Sequence, residues 1–138
     1  MTETTGLAKD AGWQMGVRRT LPLPPEPVWE FLLGAGLPLW LGRTVLGQEA
    51  GEAYATDAGV RGEVRSRTEG RRVRLTWQPP DWSHDTTLQL TVLPAATGTT
   101  IAFHQDRLAS AAERAEMLAH WTAVLDDIRA AITPVGSA

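Results

Sequence analysis

The chain has 138 residues, 43% apolar and 21% charged, with a net charge of −3. That describes one globular domain large enough to bury its own core, and excludes both a disordered chain and the basic surface expected of a nucleic-acid binder. The absence of Cys excludes disulfides, thiolate catalysis and sulfur-ligated zinc, and no run approaches the ~18 apolar residues of a membrane-spanning helix.

Residues 1–12 are small and polar and read as a flexible N-terminal arm ahead of a single domain over 13–138. The opening Met-Thr-Glu-Thr-Thr has neither the basic nor the apolar region of a secretion signal, so the chain is expected in the cytoplasm. Met15, Val17 and Leu21 alternate with Gly16, Arg18 and Thr20, which predicts a strand. Arg19 shares the apolar parity. Pro22, Pro24 and Pro25 end the strand, and Pro25-Glu-Pro27 opens a helix, because Pro suits the first turn and Glu its positive end. Val28, Trp29, Phe31 and Leu32 form its apolar side, and Gly34 and Gly36 stop it. Leu37-Pro-Leu-Trp-Leu41 reads as a second short helix, and Glu52–Thr56 as a short strand.

Val60–Thr68 and Arg71–Trp77 form a hairpin turned by Glu69-Gly70, with Gly free to take positive φ. Its period-two alternation puts Arg61, Arg65, Arg67, Arg71, Arg72 and Arg74 together on a solvated face, where an anionic partner is the alternative to simple hydration. Leu88, Leu90 and Val92 mark the next strand. After the Pro94–Gly98 turn, Ile101 and Phe103 mark another. Ser110-Ala-Ala-Glu113 is a capping box at the start of a long helix. Leu118, Trp121, Leu125, Ile128 and Ile132 recur there at helical spacing. From Ala111 to Ile132 that helix spans about 33 Å, enough to cross a sheet. The expected class is therefore α+β: an antiparallel sheet of about six strands with one apolar face, covered by the last helix.

The order of these elements resembles the SRPBCC superfamily, with its START-like, helix-grip fold. Within it the chain is similar to the group named after the activator of the heat shock protein 90 ATPase. The residues that carry the resemblance are Val17-Arg-Arg-Thr-Leu21, Pro25-Glu-Pro-Val-Trp29 and Leu37-Pro-Leu-Trp40. They continue with Leu75-Thr-Trp77, Gly98-Thr-Thr-Ile101 and Trp121-Thr-Ala-Val-Leu125. The resemblance covers about residues 13–133. Two positions depart from the pattern: Gln105 stands where many members carry His, and His120 precedes Trp121 where many carry Gly. The resemblance implies a curved sheet wrapped around the C-terminal helix, two short helices after the first strand, and a hydrophobic cavity between sheet and helix.

The composition bears on that cavity. Six Trp stand against two Phe and one Tyr. Trp29 and Trp40 fall on the short helices, Trp77 on the inner face of the sheet and Trp121 on the covering helix. They can either fill a core or line a pocket with apolar area and indole donors. Phe103, Gln105 and Met117 complete the expected lining, and Trp13 and Trp82 are placed at the rim. Three residues could carry chemistry. Arg19, on an inward parity, needs a carboxylate from the protein or a ligand. His84 lies between Asp81 and Asp85 and could act as a general base. Gln105 could hydrogen-bond a polar ligand atom. Ser83-His84-Asp85 is no triad, because consecutive side chains diverge. His84, His104 and His120 lack metal-ligand spacing, and neither a metal nor another cofactor is expected.

Three functions follow. The first is binding of a small hydrophobic molecule. The second, implied by the resemblance, is a polyketide cyclase- or aromatase-like enzyme using Arg19, His84 or Gln105. The third, also implied, is a co-chaperone that stimulates the heat shock protein 90 ATPase through the arginine face. Neither nucleic acid nor membrane is an expected partner, and the chain is expected to be a monomer or a weakly associating homodimer.

Overall fold

A computed structural model describes residues 7–8 and 12–132. Seven strands form one antiparallel sheet: β1 (Leu7–Ala8), β2 (Gly12–Leu21), β3 (Ala53–Ala55), β4 (Arg61–Thr68), β5 (Arg72–Trp77), β6 (Thr86–Ala95) and β7 (Gly98–Leu108). Their spatial order is β1-β2-β7-β6-β5-β4-β3. Two short helices, α1 (Pro25–Leu33) and α2 (Leu37–Trp40), follow β2, and α3 (Ala111–Ile132) closes the fold. This is the α+β helix-grip architecture, a curved sheet around a long C-terminal helix. None of the described helices is long and apolar enough to cross a membrane. Of the N-terminal arm, only Leu7–Ala8 and Gly12 are described. They pair in register as strand, with Leu7 opposite Trp13 and Ala8 opposite Gly12; the rest of the arm lies outside the described residues.

Local chemistry accounts for the elements. Pro25 and Pro27 stand in the first turn of α1, where a missing N–H removes no helical bond. Gly34 ends α1 with its N–H on the carbonyl of Phe31. Gly36 lies so close to the Phe31 ring that a Cβ there would meet it at 2.3 Å. The capping box at α3 forms, with the Glu113 N–H donating to Ser110 Oγ at 3.1 Å. The reciprocal bond reaches one residue further back than the sequence implied: Glu113 Oε1 accepts from the Ala109 N–H at 2.9 Å. The buried stripe of α3 is Met117, Trp121, Val124, Leu125 and Ile128. Leu118 and Ile132 lie at its margin, partly buried against the core.

Two β-bulges decide which side chains face inward. On β4, Arg65 is the extra residue between Val64, opposite Leu75, and Ser66, opposite Arg74. An inserted residue resets the period of two. Ser66 is therefore exposed, and Arg67, opposite Val73, turns inward with only 9% of its side chain accessible. This corrects the expectation that all six hairpin arginines share a solvated face. Arg67 pairs with Glu69 at 2.5 Å and donates to the carbonyls of Leu46 and Gly47, which pins the 42–52 loop to the sheet. The Arg67 hydrogen bond, aided by the Trp29 indole, holds the Glu69 carboxyl below its ordinary pKa against the opposing effect of burial. On β7, Asp106 and Arg107 together face Gln14 of β2, and Arg107 adopts a left-handed φ of 67°. The reset turns Leu108 into the core, 2% exposed, and Arg107 out of it.

Candidate functional site

The interior between sheet and α3 is built from aromatic rings in mutual contact. Trp121, fully buried on α3, stacks on Phe103 of β7 at 4.8 Å between centroids and packs on Trp77 of β5 at 5.6 Å. Trp40 of α2 also approaches Phe103, at 5.9 Å, and donates its indole N–H to the carbonyl of Leu32. A polar chain threads the same region. The Trp121 indole donates to Gln105 Oε1 at 2.8 Å, Gln105 Nε2 to Thr86 Oγ1 at 2.9 Å, and the Thr86 hydroxyl to the carbonyl of Trp77 at 2.7 Å. Each link is buried, so each satisfies a group that would otherwise cost about 1–3 kcal/mol. The chain ties α3 to three adjacent strands.

One member of the cluster lacks this satisfaction. Trp77 is 5% exposed, and its indole Nε1 is buried with no hydrogen-bond partner among the described residues. Its surroundings form the rim of the site. Trp82, in the β5–β6 loop, meets Trp77 edge-on at 5.5 Å. His84 stacks on Trp82 at 5.1 Å with the planes 18° apart. Its Nε2 faces the Glu113 carboxylate of α3 at 3.0 Å and its Nδ1 the carbonyl of Asp85 at 3.1 Å. His120 of α3 packs edge-on against Trp121 at 4.6 Å and lies 6.2 Å from Trp77. The loop is thus clasped to the start of α3.

Desolvation against these rings lowers the His120 pKa below its ordinary value, with Glu116, one turn earlier, acting in the opposite direction. An imidazole that resists protonation in the fold binds a proton more readily once unfolded. Stability is therefore expected to be fully present above the ordinary His pKa of about 6.5 and to fall as pH drops below it. Urea midpoints measured from pH 7.5 to 5 should show a smaller decline for His120→Gln than for the parent chain; identical slopes would remove the effect from His120.

The expected lining residues are all buried: Trp29, Trp40, Trp77, Phe103, Gln105, Met117 and Trp121. Of these, Trp40, Phe103, Trp121, Trp77 and Gln105 join in one contiguous cluster. Met117 lies one turn before Trp121 on the same face of α3. Trp29 stands apart, its indole donating to Glu69 at 3.3 Å. Trp13 and Trp82 are half-buried at the edge of the core. The three candidates for chemistry are each engaged. Arg19 pairs with Asp126 of α3, His84 with Glu113, and both ends of the Gln105 amide are used. His104 lies on the opposite sheet face, against Gln14 at 3.1 Å. No group of three His, Asp or Glu side chains able to hold a metal forms among the described residues.

Glu113 and His120 were missed as rim residues. The signal for Glu113 was present, but capping explained it fully, and nothing in the sequence shows that the same carboxylate also takes His84.

Depressions on the described surface lie elsewhere. A depression of about 380 Å³ opens on the sheet face turned away from α3, between Arg61, Arg65, Gln78 and Asp85. A neighbouring one of about 170 Å³ is lined by Arg65, Thr76, Asp85, Thr87 and Arg107. A shallow groove of about 510 Å³ runs along the outer side of α3, past Leu118 and Thr122.

Residues 22–133 match the family described as Activator of Hsp90 ATPase homolog 1-like protein. No curated protein sequence matches the chain. Among solved structures, CalU16 from Micromonospora echinospora superimposes with a TM-score of 0.77 at 19% identity, over 91% of this chain and 81% of that one. DynU16, a protein from the dynemicin biosynthetic locus, gives 0.75 at 19% identity over 84% of this chain; the match spans only 45% of DynU16. The Aha1 dimer from Colwellia psychrerythraea gives 0.70 at 16% identity, over 91% of this chain and 98% of that one. At these identities the likeness is one of fold.

Proposed function

Because the chain belongs to the Activator of Hsp90 ATPase homolog 1-like family, we propose that it is a cytoplasmic binding protein for a small hydrophobic molecule, held between sheet and α3. The observation that carries this reading is the buried, unpartnered indole N–H of Trp77. A donor left so is destabilising by about 1–3 kcal/mol, and a guest bearing a carbonyl or hydroxyl oxygen would satisfy it. The surrounding rings of Trp82, Trp121 and His120 favour a flat, apolar guest. Because the rings touch, the guest enters by lifting the Trp82–His84 loop from α3, and the His84–Glu113 contact is the clasp that must open. The likeness to a protein from a biosynthetic locus accords with a small-molecule role.

The test is a titration with alizarin, a flat aromatic with carbonyl oxygens, and with palmitate, read by tryptophan emission and by the indole N–H resonances. The expected result is saturable binding of alizarin that shifts the Trp77 indole resonance and weakens roughly tenfold in Trp77→Phe, which removes the donor and part of the ring while keeping an aromatic face. Absence of saturable change with both compounds would sink the proposal.

An enzymatic reading of the same interior requires Arg19, His84 or Gln105 to leave its present partner, so binding is the reading carried forward. The family description favours a second reading, stimulation of the Hsp90 ATPase, with Arg72 and Arg74 on the exposed sheet face as contacts. An unchanged Hsp90 ATPase rate at saturating amounts of this chain would exclude it. The chain is proposed to be a monomer or weak homodimer, which sedimentation at two concentrations resolves.

A further inference from the structure

The sheet face turned away from α3 carries two adjoining depressions, of about 380 and 170 Å³, that share Arg65, Thr76 and Asp85. Both bulges of the sheet deliver an arginine to this one place. Arg65 is the extra residue of β4, and Arg107 is one of the two β7 residues, with Asp106, that stand against the single residue Gln14. Both arginines line the smaller depression, and Arg61 joins Arg65 at the larger one. Bulges commonly re-aim a side chain next to a functional site. The β7 bulge comes at an energetic cost, because a non-glycine residue at φ 67° is held in a conformation that L-residues disfavour. Packing of Leu108 requires some residue at that position but does not require it to be an arginine.

The cations there have donors to spare. Arg65 gives one N–H to Glu63 at 2.8 Å. Arg107 stands 3.6 Å from Asp85, beyond a hydrogen bond. Arg61 lines the larger depression and is exposed. Each guanidinium offers five N–H donors. Thr76 and Thr87 line the same depression. Thr76 Oγ1 accepts from the Glu63 N–H, which leaves its own proton free to donate. Three arginines against Glu63 and Asp85 leave a local excess of positive charge in a chain whose net charge is −3.

We infer that this depression binds a small oxyanion, a phosphate or carboxylate group, gripped by Arg65 and Arg107 with Thr76 and Thr87 beneath. It lies on the opposite side of the sheet from the hydrophobic guest and does not depend on it. Calorimetric titration of the full chain at low salt with inorganic phosphate, and separately with citrate, tests it. Saturable binding of phosphate alone assigns a phosphoryl ligand, of citrate alone a carboxylate, and of both an oxyanion without further selection. In each case Arg65→Gln and Arg107→Gly should weaken binding roughly tenfold, and Arg72→Gln, outside the depression, should not. Arg107→Gly should also melt a few degrees higher, because glycine accepts the positive φ; a purely structural role for Arg107 would not couple loss of binding to a gain in stability. Lack of saturable binding of either anion, or equal weakening in all three variants, overturns the inference.

Discussion

Trp121→Ala is expected to destabilise the chain by roughly 5 kcal/mol. Truncating a fully buried indole typically costs about 3–5 kcal/mol, and the same change strands the Gln105 carbonyl without its donor, a further penalty of about 1–3 kcal/mol that partly overlaps with the first. Against the roughly 5–15 kcal/mol that holds an ordinary domain together, the variant would be partly unfolded at physiological temperature. Trp121→Phe separates the two contributions. It keeps a smaller ring on Phe103 and removes the donor, so the cost should fall well below that of the alanine change, to about 1–3 kcal/mol. Gln105→Leu should cost a similar amount, and the double variant less than the sum, because once one partner is gone the other has little left to lose. Urea denaturation followed by far-ultraviolet circular dichroism gives these values without relying on tryptophan emission. The experiment also bears on function. A loss below about 2 kcal/mol for Trp121→Ala would mean that the rings line a yielding cavity more than they fill a core.

Element order and type were legible in the sequence because each rests on a local signal. Pro25 and Pro27 start α1, Ser110 and Glu113 start α3, and alternation marks β5, β6 and β7. The failures share one physical cause. Alternation assumes an unbroken period of two, and a bulge carries no residue signature as strong as the Gly of a turn. Unbroken alternation therefore puts Arg67 outside, whereas the Arg65 bulge turns it inward, and it gives no sign of the Arg107 bulge, since β-bulge positions at left-handed φ usually hold Gly. The aromatic convergence was readable: Trp40, Phe103, Trp77 and Trp121 do meet. What periodicity cannot supply is whether converging rings leave space between them, because that depends on rotamers and on centroid distances of a few ångströms. The rim was missed for another reason. His84 and Glu113 are 29 residues apart, and only the closed fold brings them together.

The same cluster explains why binding is favoured over catalysis as a role. General acid–base work needs a titratable group within reach of a substrate and free to exchange its proton. Here the inward-facing polar atoms are amide, hydroxyl and indole groups, consumed by one another in the chain from Trp121 to the Trp77 carbonyl. The titratable groups nearest to them, His84, Glu113 and His120, stand at the rim. The indole donor and ring faces of the interior suit orienting a guest, as proposed, more than transferring a proton to it.

Gly62→Ala is the second large effect expected, roughly 3 kcal/mol or more of destabilisation. A Cβ at this position in β4 would sit 2.0 Å from the Thr76 carbonyl oxygen and 2.6 Å from its carbon, so the two strands would have to part. That carbonyl is not free to move. It accepts the hydroxyl of buried Tyr54 at 2.6 Å, a phenol whose pKa burial raises, while the Thr76 hydroxyl holds the Glu63 N–H at 2.8 Å. Displacing Thr76 would break both bonds and disturb β3, β4 and β5 together. Gly70 separates space from conformation. It has φ 77° and no atom within 4 Å of an added Cβ, so Gly70→Ala should lose only the left-handed backbone preference, about 1 kcal/mol. Thermal melts of the two variants should therefore differ by several degrees, with Gly62→Ala the lower. Equal melting temperatures would mean that β4 and β5 can separate at Gly62 without cost, and the rigid floor assigned to the oxyanion depression beside them would then not exist.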